Sequence, residues 1–156
     1  LRSELVTYGL LSVLAIGLLT AAFTDLKRRQ IDNWLNAAVA LLAPAFWWAS
    51  GLDPWPGMAL QVGIAAITFL VCAGLFAIRM MGGGDVKLLA ALALWFSPLT
   101  FGYLVFWMSM IGAVLTVDCH PIGDGRAAIP YGVAICAAGL LTLATKSLPL
   151  LHGQIG

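Results

Sequence analysis

Apolar positions in this chain fall into runs of membrane-crossing length, separated by short polar breaks, and the pattern predicts an all-α bundle of six transmembrane spans. Residues 5–23 form the first run, 19 residues long, close to the ~20 that a helix needs to cross the hydrocarbon core. Further spans are predicted over residues 34–50, 57–78, 99–117 and 129–143. Between the third run and Ser97-Pro98, residues 86–96 make a segment of only 11 residues, which crosses only if it starts deep or tilts within the bundle. Residues 51–56, with two prolines and Trp55, read as a turn at the membrane interface.

Composition changes this picture little and narrows it usefully. The chain is 62% hydrophobic and 10% charged, against roughly 25% charged in soluble domains, so it reads as an integral membrane protein. A net charge of +1 gives no electrostatic case for binding nucleic acid. Every connection between runs is short, so residues 1–156 are expected to form a single transmembrane domain, with the lipid bilayer as its first partner. The first run lacks a clear basic segment before it and is followed by further spans, so it reads as a transmembrane helix and not as a signal peptide. With six crossings, Lys27, Arg28, Arg29, Arg79, Lys87 and Arg126 share one face, leaving Arg2 and Lys146 on the other. That asymmetry assigns the basic face to the cytoplasm and both termini to the opposite side.

Candidate chemistry concentrates at Gly82-Gly83-Gly84-Asp85-Val86-Lys87. Three glycines mark a helix break where backbone can approach another segment closely. Two readings of Asp85 stand: an N-cap for a helix beginning at Val86, or a functional carboxylate at the membrane edge. Asp25 ends the first run, and two crossings later the chain returns to the same face at Asp85. Its own plain reading is an ion pair with Arg28 or Arg29. Two aspartates meeting at a membrane edge point instead to an aspartyl hydrolase, because adjacent carboxylates share one proton and one of them can then activate water. A rival from another class is a transporter or assembly subunit that binds protons or cations at the same two carboxylates.

Other polar residues suggest less. Asp118, Cys119, His120 and Asp124 fall in a polar loop without the spacing of a metal site, and Cys72, Cys119 and Cys136 show no paired spacing. Neither a metal nor any other cofactor is expected. Trp34, Trp47, Trp48 and Trp55 read as interfacial anchors. Small residues four apart, Ala59 with Gly63 and Gly132 with Cys136, suggest close helix packing without functional weight.

Thr24-Asp25 with Lys27-Arg28-Arg29 and Ile31-x-Asn33, then Gly82-x-Gly84-Asp85-Val86-Lys87, then Ile129-Pro130-Tyr131-Gly132-Val133-Ala134, resemble in order the three signatures of the type IV prepilin peptidases. The resemblance implies a six-span GxGD-type intramembrane aspartyl protease of the bacterial inner membrane that removes the leader from prepilins at the cytoplasmic face. Asp25 and Asp85 would be its catalytic pair, with Gly82, Gly83, Gly84, Lys87, Asn33, Pro130 and Tyr131 binding substrate or supporting the pair. Longer members carry cysteine pairs in an extended cytoplasmic domain and also methylate the product; without these, the chain looks like the short, peptidase-only branch associated with Flp or Tad pili. Where a proline is common before the asparagine of the first signature, Asp32 stands here. It either caps the second span or, if the first span continues as helix, shares a face with Asp25 seven residues away and touches substrate.

Overall fold

The computed structural model describes residues 2–28, 30–118 and 131–152. Among them the chain forms six α-helices: α1 (Arg2–Arg28), α2 (Asn33–Ala49), α3 (Ala59–Ala77), α4 (Gly83–Ala93), α5 (Pro98–Asp118) and α6 (Tyr131–His152). The all-α expectation holds. Three stretches, Glu4–Arg28, Pro54–Ala77 and Pro98–Leu115, are long and apolar enough to cross a membrane. Successive helices alternate in direction. The end of α1, the start of α2, the end of α3 and the starts of α4 and α6 therefore lie together at one end of the bundle, here the site end.

Element boundaries follow the apolar runs closely for α2, α3 and α5. They depart at three places, each for a physical reason. The first helix outruns its apolar stretch and continues through Asp25 to Arg28, because the extra turn buries Asp25 against α6 while Leu26, Lys27 and Arg28 stay exposed. At the other end of the chain α6 continues to His152, well past residue 143. Most of the polar loop expected before it lies outside the described residues, as do Pro130, Cys119, His120 and Asp124; Asp118 is the last residue of α5.

The third departure is α4, which begins at Gly83 and not at Val86. Its 11 residues make it about 16 Å long by the rise of an α-helix, about half a hydrocarbon core. It nonetheless sits in the middle, packed against α2, α3 and α6, with Leu88, Leu92 and Ala93 wholly buried. A helix that stops inside an apolar bundle leaves carbonyls without partners, and those must be satisfied by side chains. Trp47 of α2 donates its indole N–H to Leu94 O at 2.7 Å. From α3, the Gln61 amide, in the orientation that satisfies the network, donates to Ala93 O (2.9 Å) and Phe96 O (2.7 Å). Trp95 and Phe96, each 1% exposed, fill the depth beyond, with Trp95 stacked on Phe46 at 5.0 Å and donating to Val39 O at 2.9 Å. Trp47 is thus a buried cap for α4 and not an interfacial anchor; Trp34, Trp48 and Trp55 are exposed.

The turn that delivers the chain from α3 to α4 is made by the backbone. Met80 N–H donates to Leu75 O and Arg79 N–H to Phe76 O, both at 2.9 Å, closing α3 in a Schellman motif. Arg79 takes the left-handed conformation that the motif demands, with φ 59°. The glycines follow immediately.

Candidate active site

Asp25 lies in the last turn of α1 and Asp85 in the first turn of α4, and both are buried, at 7% and 8% exposure. Gly82 occupies the N-cap of α4, so Asp85 stands three residues into the motif and does not cap it. Its carboxylate folds back to accept the Gly82 backbone N–H, the return half of a capping box. A side chain at position 82 would meet Asp85 Oδ2 at 2.9 Å, which is why the cap is a glycine.

What brings the two acids together is the N-terminus of α6. The first turn of a helix has N–H groups without intrahelical partners, and here the Val133 N–H donates to Asp25 Oδ2 at 3.1 Å. One residue earlier, Gly132 presents bare backbone to both carboxylates. A Cβ built at Gly132 falls 2.6 Å from Asp25 Oδ2 and 3.0 Å from Asp85 Oδ1, so an oxygen of each acid lies within 3.0 Å of a single point. No side chain fits there. Cys136, one turn further along α6, is buried within electrostatic reach of both acids.

The remaining glycines explain the rest of the wall. Gly84 lies against the connection between α1 and α2, where a Cβ would stand 3.1 Å from Ile31 Cβ and 3.3 Å from the Ile31 backbone N and O. Asn36 of α2 fixes that approach by donating its amide to Gly84 O at 3.2 Å. Gly83 faces the Phe76 ring of α3. Lys87, one turn past Gly83, donates to Asn33 Oδ1 at 2.8 Å and ties the start of α2 to α4. Between these elements opens a polar cleft of about 540 Å³, lined by Asp25, Asp85, Asp32, Lys87 and the three glycines.

Of the residues singled out from sequence, the structure therefore gathers Asp25, Asp85, Gly82, Gly83, Gly84, Lys87 and Asn33 around one cleft. Tyr131 is elsewhere: its half-buried ring lies against Gly112 of α5. Asp32 takes the N-cap position of α2 in extended conformation but makes no capping hydrogen bond with its side chain, and it lines the cleft. Because α1 ends at Arg28, Asp25 and Asp32 do not share one helical face. Gly132 and Val133 belong to the third signature but gain no site role from the sequence, and Asn36 does not figure in any signature. Gly132 is also spaced four residues from Cys136, but neither the signature nor the spacing says that it faces two carboxylates. Of the other spaced pair, Gly63 has nothing within 4 Å. Among the described residues no three His, Cys, Asp or Glu side chains assemble as a metal site.

A sequence model of the type IV leader peptidase family matches residues 12–117, which carry both buried acids and the glycines between α3 and α4. The chain belongs to the type IV leader peptidase family. It is accordingly a peptidase, and the family implies prepilin-like substrates. No curated protein and no solved structure matches it. The turn of α6 that contacts the leader peptidase's two acids, Gly132 and Val133, lies beyond the matched segment.

Proposed function

We propose that this leader peptidase is an aspartyl endopeptidase that removes the leader from prepilins of the Flp type at the cytoplasmic face of a bacterial inner membrane, with Asp25 and Asp85 as the catalytic pair. The convergence of two buried carboxylates on one point at Gly132 is the observation that carries this reading. Like charges so close do not both ionise readily, so the pair holds one proton between them. The ionised carboxylate takes a proton from water as that water attacks the scissile carbonyl, while the protonated one donates to the carbonyl oxygen. Collapse of the tetrahedral intermediate returns a proton to the leaving amine, and no metal or covalent intermediate is needed.

Water must reach the pair, and the position of the cleft at the end of the bundle supports its access there. The cytoplasmic assignment follows from the six-to-two distribution of Lys and Arg along the sequence. The Flp-type assignment follows from the resemblance and from the lack of paired cysteines. Co-expression with a candidate prepilin tests the whole reading. Wild-type protein is expected to shorten the pilin by the length of its leader, and Asp25→Asn and Asp85→Asn are each expected to abolish the shift on a gel. Full processing by either variant removes that residue from the reaction.

A further inference from the structure

Beside the polar cleft runs a second cavity of a different character. It occupies about 370 Å³ between α2, α3 and α4 and is almost wholly apolar. Its floor is α4 and its walls are α2 and α3, each of which packs on α4. The surfaces that face one another are small: Ala37 and Ala40 on α2, Ala65 on α3, Ala90 and Ala91 on α4. Alanines at such positions let another helix approach closely, with Phe69 and Leu94 as the larger apolar side chains in the lining. Asn33 and Lys87, hydrogen-bonded to each other, line both this groove and the cleft, so the two cavities share one border.

A second observation points to an occupant. Asn36 lines the groove and is 4% exposed, and its Oδ1 has no hydrogen-bond partner among the described residues, although its amide nitrogen is used on Gly84. A buried acceptor left unsatisfied costs about 1–3 kcal/mol. A helix N-terminus carries the complementary defect, four backbone N–H groups without intrahelical acceptors. Polarity along the two cavities has the same order. Carboxylates dominate the cleft, with Asp25, Asp32 and Asp85 against Lys87, while beyond the Asn33–Lys87 border the lining is apolar.

We propose that the groove between α2, α3 and α4 seats the first turns of the substrate's own transmembrane helix, with Asn36 Oδ1 accepting a free N–H from its N-terminal turn. The occupant is thus a chain that is polar or cationic first, extended at the scissile bond, and an apolar helix immediately afterwards. The extended stretch crosses the Asn33–Lys87 border, and the helix beyond it aligns the bond to be cut with Asp25 and Asp85. This inference rests on the peptidase reading above and adds the site that grips the substrate.

Filling the groove is the test. Ala40→Phe and Ala90→Phe place a ring in it at positions that are only half-buried, so that the bundle accommodates the change; Val114→Phe, at an exposed site on α5, is the control. Two substrates are compared, the full-length prepilin and a peptide with the same scissile stretch but no apolar helix. The groove variants are expected to lose about tenfold more kcat/KM on the prepilin than on the peptide, chiefly through KM, as overpacking a contact surface implies. Val114→Phe is expected to match wild type on both. Equal losses on the two substrates, or none on the prepilin, overturn the groove. A photoreactive amino acid in place of Phe69, which lines the groove, settles the matter if a ring variant fails to fold. In the Asp85→Asn background it is expected to crosslink to the prepilin helix, and crosslinking from position 114 in its stead overturns the proposal. Failure of wild type to cut either substrate tells against the peptidase reading itself, which separates the two outcomes.

Discussion

At the scale of single residues, the site is set by what is missing at position 132. Asp25 and Asp85 reach a common point only because α6 offers backbone without a side chain there. Gly132→Ala is therefore expected to push the acids apart by a fraction of an ångström to an ångström and to reduce prepilin cleavage by about 100-fold, the loss typical of such misplacement. Its folding should survive, since the helix itself tolerates alanine better than glycine. Cleavage assayed beside a thermal melt in detergent checks both halves of the expectation. Both acids were legible in the sequence, because counting crossings between Asp25 and Asp85 returns the chain to one face. The part played by Gly132, though the residue lies in the third signature, was not, because the meaning of a glycine lies in what it touches, and its neighbours are more than 100 and 40 residues away in sequence.

Among elements, α4 is the one whose length the apolar run foretold and whose stability it did not. An 11-residue segment could be read off the sequence; that it ends deep within the bundle, with its carbonyls held by Trp47 and Gln61, could not. Tryptophan next to a predicted membrane boundary reads by default as an anchor, and only the partner 47 residues away distinguishes Trp47 from its exposed neighbour Trp48. The distinction has a measurable consequence. Trp47→Phe keeps most of the ring but strips Leu94 O of its donor, and is expected to destabilise the fold by about 1–3 kcal/mol. Trp48→Phe, on a side chain 87% exposed, is expected to change stability by less than about 0.5 kcal/mol. Unfolding by denaturant in micelles compares the two.

For the molecule as a whole, alternation of helix direction puts every residue of the cleft at one end. If the six-span arrangement holds in the bilayer, a cysteine introduced at Arg79, beside the cleft, and one introduced at Asp53, in the turn before α3, face opposite compartments. An impermeant thiol reagent added to intact cells is expected to label the second and spare the first, with both labelled after permeabilisation. Labelling of position 79 in intact cells would invert the orientation drawn from the Lys and Arg count. Cys72 and Cys136 are buried, and Cys119 is replaced by serine in both variants so that only the introduced thiol is read. That count, like the apolar runs, is a property of segments, and sequence reports segments well. It reports poorly on the reach of α6, where apolar composition thins out before the helix does.

Trp95 and Phe96, the two buried rings beyond the end of α4, carry a last implication. With Leu18, Leu88, Leu92 and Ile135, all wholly or almost wholly hidden from solvent, they make a buried apolar layer between the paired acids and the far end of the bundle. A titratable pair sunk in a membrane without such a layer would be half of a proton wire. If Asp25 and Asp85 act as the proposed pair, this layer would keep an acid-base catalyst from passing protons across the membrane that holds it.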